Sequence, residues 1–153
     1  MDHATFVPLY FMCRQFGDFQ LAVVGLSGLS AHEHFELGKV LAQTVALLDR
    51  RCVYIASGDW SHKLKEDGPY GFAPEGPRFD RMLADTFAAN DLEQLFRYDE
   101  DIVEAAAECG LRSFQIMAGA LDGLEYTGEL LSYEGPFGVG YGVAAFEVQH
   151  AAS

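Results

Sequence analysis

A histidine that follows a buried apolar run is the residue of this sequence best suited to acid–base chemistry. His62 ends the segment Ser57–His62 (SGDWSH), which comes directly after the apolar run CVYIA. Ligand sites of α/β sheets lie beyond the carboxyl ends of their strands, and a histidine there can exchange protons near neutral pH. The same local sequence also fits an ordinary histidine on a surface loop, so this segment alone leaves both interpretations open.

Three other residues have side chains that could take part in chemistry. His3 lies just before the first apolar run, where it fits either a site residue or a solvated terminal histidine. Glu108 and Cys109 are adjacent in an alanine-rich stretch and are followed at once by Gly110. A charge and a thiol beside a glycine suit a helix packed near a ligand, but such a cysteine also fits a small core residue.

Other candidate motifs fail on spacing. His32 and His34 are two residues apart, so they do not share a helix face, and a zinc HExxH motif would need histidine where Glu36 stands. We expect both histidines to lie on a solvated first helical turn. The glycines of GVGYG lack the spacing of a dinucleotide fingerprint, and the sequence has no P-loop, GxSxG or CxxC motif.

The elements that would position these residues suggest an α/β fold. Phe6–Met12, Phe19–Leu26 and Cys52–Ala56 are β-prone apolar runs, and the last two are too uniformly apolar to have a solvent face. Ser30 and Glu33 form a capping-box pattern that begins a helix between the second and third runs. Strand, helix and strand in this order predict a βαβ unit, and therefore a mixed, largely parallel sheet flanked by helices.

The second half of the chain contains a long loop, helices and a hairpin. Ser57–Pro77 is rich in proline and glycine and is predicted to be a loop, with a helix after it and a short helix at Leu92–Phe96. Glu100–Leu121 is predicted to be one long helix, and Leu130–Val148 two strands about a Gly-Pro turn. Without repeats or a linker, we expect a single domain over residues 1–153.

Composition excludes several classes of protein. Half of the 153 residues are hydrophobic, which excludes general disorder, and the net charge of −13 argues against nucleic acid or an anionic membrane as a partner. Three cysteines without paired or zinc-like spacing predict a reduced, cytoplasmic protein. We expect neither a leader nor a membrane span, since no apolar run approaches the roughly 18 residues that a span needs.

Four segments carry a family pattern, namely DHATFVPLYF at 2–11, SGDWSHKLKEDGPYGFAPEGPRFD at 57–80, EAAAECGLRSFQIMAGALDG at 104–123 and SYEGPFGVGY at 132–141. Together they resemble the class III extradiol dioxygenases of the LigB type and, more distantly, the Memo-like proteins. The resemblance implies an enzyme that cleaves a catechol-like ring with O₂. It also implies a non-haem Fe(II) held by two histidines and one carboxylate.

The resemblance assigns roles to individual residues. His62 would act as acid and base beside the bound O₂ and the substrate hydroxyl, while His3, Asp59 and Ser61 would contact substrate. Such a histidine can take a phenolic proton and return it later in the reaction.

The metal ligand that the resemblance implies on this chain is Glu108, with Cys109 as the alternative because Memo-like relatives carry a cysteine near this point. The family's two histidine ligands lie upstream of the DHxxxVP motif, at which this chain starts. We therefore expect the chain to be the C-terminal half of such a domain. Alone, it should bind Fe(II) weakly and leave catechols uncleaved.

Three kinds of protein remain as alternatives. The first is the dioxygenase half, acting on a small aromatic substrate and completed by an N-terminal half or assembled as a homo-oligomer. The second is a non-catalytic, Memo-like binding or scaffold module. The third is a metal-dependent hydrolase using His62 and Glu108, for which no motif is present.

Overall fold

The computed structural model describes residues 3–149 and contains helices and a two-stranded sheet. Asp2 of the first motif lies outside the described residues. None of the helices in this part of the chain is long and apolar enough to cross a membrane. In chain order the elements are α1 (His3–Gln15), α2 (Ala31–Leu47), α3 (Glu75–Ala89), a 3-10 helix (Leu92–Phe96), α4 (Glu100–Ala106), α5 (Leu111–Leu121), β1 (Tyr126–Glu134) and β2 (Tyr141–Val148).

The core lies where α3, α4, α5 and the segment around Trp60 meet. Aromatic side chains dominate it: Trp60 and Phe114 each pack edge-to-face on Phe87, with ring centroids 6.0 and 5.6 Å apart. One apolar side of α3 supplies much of the rest, because its buried residues recur at helical spacing. The buried hydrophobic cluster consists of Trp60, Phe79, Leu83, Phe87, Leu92, Leu95, Ile102, Ala106, Leu111, Phe114, Ala118 and Leu121.

Helix α2 begins as predicted and crosses α5 closely. The Ser30 hydroxyl accepts from the Glu33 amide, and the Glu33 carboxylate accepts from the Ser30 amide at 2.8 Å, which completes the capping box. Gly119 of α5 faces the α2 backbone so closely that a Cβ there would lie 1.9 Å from the Phe35 carbonyl oxygen. The predicted solvated turn is wrong for His34, which is buried by this crossing, whereas His32 is exposed.

The predicted hairpin near the end of the chain is present. Strands β1 and β2 pair antiparallel from Tyr126 opposite Val148 to Glu134 opposite Tyr141, with an irregularity between Leu130 and Ser132. This is the sheet that the described residues form. The chain is therefore α/β in class.

The first predicted strand is wrong. Phe6–Met12 lies inside α1, and this helix buries no residue. An apolar run of seven residues does not distinguish a strand from a helix by itself. Contacts at helical spacing decide for the helix: Phe6 packs on Tyr10, and the Arg14 guanidinium donates to the Tyr10 hydroxyl at 3.0 Å.

The two other segments predicted to be strands have no regular secondary structure. Phe19–Leu26 and Cys52–Ala56 make no ladder with any residue of the described part of the chain, although α2 lies between them as expected. A strand needs a neighbouring strand with which to form hydrogen bonds, and neither segment has such a neighbour within residues 3–149. The predicted parallel sheet is therefore not present in these residues.

The long helix predicted over Glu100–Leu121 is in fact two helices, α4 and α5. Ala107 ends α4 in the left-handed region with φ of 52°. At Gly110 the chain approaches the loop that carries His62, and a Cβ added to Gly58 would lie 2.4 Å from the Gly110 Cα. This break places Cys109 against the His62 loop instead of on a continuous helix surface.

Candidate functional site

The segment Trp60–His62 is held by hydrogen bonds from two distant parts of the chain. The Trp60 amide donates to the Gly140 carbonyl at 2.9 Å, and the Gly140 amide donates back to the Ser61 carbonyl at 2.8 Å. On the other side the His62 amide donates to the Ala106 carbonyl, at the end of α4, at 3.0 Å. The backbone beside the candidate histidine is therefore fixed by the approach to β2 and by α4.

Three potential metal ligands converge at this loop. The ligand atoms of Asp59, His62 and Cys109 all lie within 4.8 Å of one another, and we call these residues the Asp59–His62–Cys109 cluster. The His62 Nε2 lies 3.4 Å from a carboxylate oxygen of Asp59 and 3.9 Å from the Cys109 sulfur. Asp59 and His62 are partly buried, whereas Cys109 is exposed.

The geometry of this cluster differs from that of a nucleophilic triad. In a triad, the nucleophile and the carboxylate engage opposite nitrogens of the histidine ring, so that a proton can pass through it. Here the sulfur and the carboxylate face the same nitrogen, Nε2 of His62. Such convergence suits a shared proton or a shared cation, since imidazole, carboxylate and thiolate are all metal ligands.

The chain pairs Cys109 with Asp59 through the backbone as well. The Asp59 amide donates to the Cys109 sulfur at 3.2 Å, and the Cys109 amide donates to the Asp59 carbonyl at 3.4 Å. Burial raises the pKa of the Cys109 thiol and the carboxylates of Asp59 and Glu108 add to this, against the lowering effect of the Asp59 amide. A cation at the cluster would counteract this rise and favour the thiolate.

Glu108, the metal ligand that the resemblance implies, faces its own chain. Its carboxylate accepts from the Leu111 amide at 2.6 Å, at the first residue of α5, so it satisfies a free amide of that helix. The carboxylate is not among the three groups that converge on one point. The structure therefore brings Cys109 to His62 and leaves Glu108 at the start of α5.

A glutamine at position 108 is expected to change how stability depends on pH. Burial raises the pKa of Glu108 above its ordinary value of 4.5, against the lowering effect of the Leu111 amide, so the folded chain binds the proton more tightly than the unfolded chain does. The stabilisation that this tighter proton binding gives the folded chain is complete below pH 4.5 and is lost as the pH rises through the raised pKa. The free energy of unfolding of the wild type should therefore fall, relative to Glu108→Gln, from acid to neutral pH.

Urea denaturation of both proteins across that range measures the difference. Glu104→Gln, which changes an exposed carboxylate of α4, is the control for removing a surface charge. A difference between wild type and Glu108→Gln that stays constant with pH would contradict the expectation.

The other predicted site residues are placed differently. His3 is the exposed first residue of α1 and is not part of the Asp59–His62–Cys109 cluster. Ser61 is fully buried, and its hydroxyl donates to the Ala106 carbonyl and accepts from the Lys63 amide. Its side chain thus holds the loop together.

Sequence reasoning missed two neighbours of the site. Tyr70 stacks on the His62 imidazole, with ring centroids 4.9 Å apart and an angle of 21°. Asp80 accepts from the Ser61 amide at 2.8 Å. For Tyr70, the aromatic and glycine content of the long loop was the available sequence signal. No local pattern indicates that Asp80 binds Ser61, which lies 19 positions earlier.

Comparison with known proteins identifies the family of this chain. Residues 1–144 match the family described as the catalytic LigB subunit of aromatic ring-opening dioxygenase. The chain belongs to the LigB family, and the resemblance of its motifs to the LigB type is confirmed.

Two curated relatives match the chain over part of their length. Protein CA_C1420 of Clostridium acetobutylicum is 42% identical over 147 residues, covering 96% of this chain and 31% of the relative. The 4,5-DOPA dioxygenase extradiol of Portulaca grandiflora is 32% identical over 101 residues, covering 63% of this chain and 35% of the relative. The chain thus spans about a third of the length of these relatives.

Proposed function

We propose that this chain is part of an extradiol, class III ring-cleaving dioxygenase that acts on a catechol-like substrate with O₂. The observation that carries the proposal is the convergence of Asp59, His62 and Cys109 in a member of the LigB family. The similarity to a protein named 4,5-DOPA dioxygenase extradiol supports an ortho-diphenol as the substrate class.

We propose that Cys109, with Asp59, faces a divalent metal ion, and that Glu108 does not. The chemistry of the donor set fits a divalent transition metal, although a thiolate departs from the two-histidine, one-carboxylate pattern. Fe(II) bound there would supply open positions at which a catecholate and O₂ meet. With so few ligands on this chain, it would bind Fe(II) weakly alone.

His62 is the acid–base group in this proposal. Its Nε2 would take a proton from a phenolic hydroxyl and return it later in the reaction, and the Asp59 carboxylate at 3.4 Å would stabilise the charged imidazole in between. His3 would contact substrate only after α1, which buries no residue here, has packed against further protein.

The uncovered apolar surface supports an incomplete domain. Phe11 of α1 is 63% exposed, Val23 is 62% exposed, and Val53, just before the His62 loop, is 75% exposed. Exposed apolar residues on a helix that buries no residue, and on segments without a partner strand, are typical of surfaces that another polypeptide covers. We propose that a complementing N-terminal half covers them, completes a mixed sheet and supplies two histidine ligands, and that the chain alone associates with itself.

Reconstitution tests the proposed activity. Fe(II) and a catechol are added anaerobically to the chain, with or without the complementing half as a separate polypeptide, and O₂ is then admitted. A yellow ring-opened product is expected only with both halves present. His62→Ala should abolish it, whereas His32→Ala, which changes an exposed histidine of α2, should leave it unchanged.

Two outcomes would overturn parts of this proposal. Product formed by the chain alone would refute the incompleteness, and absence of product with both halves folded and iron-loaded would refute the oxygenase.

One observation favours a second candidate, a Memo-like binding module. The structure brings Cys109, and not Glu108, to His62, and a cysteine near this point is the feature that such relatives carry. This candidate predicts no ring cleavage with both halves present and partner binding that survives His62→Ala.

A further inference from the structure

A buried carboxylate outside the Asp59–His62–Cys109 cluster accepts hydrogen bonds from two neutral groups and forms no salt bridge among the described residues. Asp80 of α3 is 2% exposed. One of its oxygens accepts from the Ser61 amide at 2.8 Å, and the other accepts from the Tyr133 hydroxyl at 2.5 Å. No cationic side chain of residues 3–149 forms a salt bridge with it. Burying a carboxylate without a counter-charge costs free energy, so its place in the fold calls for a reason.

The carboxylate of Asp80 is closely surrounded by its neighbours. A Cβ added to Gly140 would lie 2.2 Å from the Asp80 oxygen that Tyr133 contacts. The Tyr133 ring is itself stacked on Trp60, with centroids 4.9 Å apart. Glycine at position 140 thus leaves room for the carboxylate, and the Tyr133 hydroxyl and the Ser61 amide orient it.

Ser61 connects two members of the cluster. It lies between Asp59 and His62, and its flanking backbone is also bound to Gly140 and Ala106. The bond to Asp80 adds α3 as a third support. A shift of the Ser61 amide would move the Asp59 carboxylate and the His62 ring relative to Cys109.

We propose that Asp80 is a positioning residue for the site. Its carboxylate forms no hydrogen bond with Asp59, His62 or Cys109 in the described part of the chain, and it acts through the Ser61 amide, which sets the separation of these three residues. The expected change in metal affinity rests on the proposed metal site, whereas the expected change at the Ser61 amide does not.

Substitution of Asp80 in the 153-residue chain tests the proposal. Asp80→Ala removes the acceptor, Asp80→Asn keeps an oxygen for the Ser61 amide, and Asp85→Asn, which changes an exposed carboxylate of the same helix, is the control. The readouts are Co(II) titration, followed by thiolate-to-cobalt absorption, and hydrogen exchange of the Ser61 amide by NMR.

The alanine variant should bind Co(II) about tenfold more weakly, which is the smallest loss of metal affinity typical of removing a residue that supports a metal ligand. Its Ser61 amide should exchange faster, measured relative to the amides of α5. Asp80→Asn and Asp85→Asn should stay close to wild type in both readouts. The proposal would be overturned if Asp80→Ala had the same Co(II) affinity and the same exchange rate of the Ser61 amide as wild type. It would also be overturned if Asp80→Asn lost as much Co(II) affinity as Asp80→Ala.

A second variant covers failure of Asp80→Ala to fold. Tyr133→Phe leaves Asp80 in place and removes its other hydrogen bond, so exchange of the Ser61 amide should still accelerate, to a smaller extent. Unchanged exchange in Tyr133→Phe would overturn the inference. If the wild type itself binds no Co(II), the proposed metal site fails, while Ser61 exchange continues to decide the role of Asp80.

Discussion

Replacing Cys109 by serine is expected to abolish measurable Co(II) binding to the chain. The Cys109 sulfur lies 3.9 Å from the His62 Nε2 and, with the Asp59 carboxylate, faces the proposed metal ion. Serine has nearly the same size but lacks the soft, readily ionised donor of a thiol. The loss should exceed the roughly 10–100-fold that removal of an outer residue costs, because a ligand itself is removed.

Two matched controls are present in the chain. Cys13 and Cys52 are also free and exposed, so Cys13→Ser and Cys52→Ser remove a thiol without touching the cluster. Both should retain wild-type Co(II) affinity and the absorption of a cobalt–thiolate bond. If all three variants bind equally well, Cys109 is not the ligand.

The same titration separates Glu108 from Cys109. Glu108→Gln keeps an oxygen that can accept from the Leu111 amide, so α5 should still begin at Leu111. Because Glu108 faces that helix, this variant should bind Co(II) like wild type. A large loss of affinity in Glu108→Gln would instead support the carboxylate ligand that the family resemblance implies.

Local sequence signals predicted two elements whose contacts are local, although they did not reveal α1, which is also held by local contacts. The Ser30 and Glu33 side chains lie three residues apart, so the start of α2 is readable from four residues. The hairpin of β1 and β2 is likewise formed by neighbouring segments. The motif that contains His62 was also visible, because it follows an apolar run and carries the family resemblance.

Long-range contacts decided the features that sequence reasoning missed. The break between α4 and α5 depends on Gly110 packing against Gly58, about fifty residues away in the chain. That break brings Cys109, which the resemblance offers as the alternative ligand, to the His62 loop. His34 is buried because α2 and α5 cross closely, which no pattern within α2 indicates.

Replacing Trp60 by alanine is expected to cause the largest loss of stability. Trp60 is 1% exposed, stacks on Tyr133 and packs edge-to-face on Phe87. Gly142 of β2 lies so close that a Cβ there would be 2.1 Å from the indole ring. Removing a buried aromatic side chain of this size costs about 3–5 kcal/mol, a large part of the roughly 5–15 kcal/mol that stabilises a domain.

Urea denaturation measures the loss, and Tyr70→Ala provides the comparison. Tyr70 belongs to the same loop region but is 55% exposed, so its removal should cost less than about 1 kcal/mol. Trp60→Phe, which retains an aromatic ring, should fall between the two. Equal losses in Trp60→Ala and Tyr70→Ala would show that the packing around Trp60 contributes little. In that case the hydrogen bonds of the Trp60–His62 backbone, and not the indole, would have to hold the His62 loop in place.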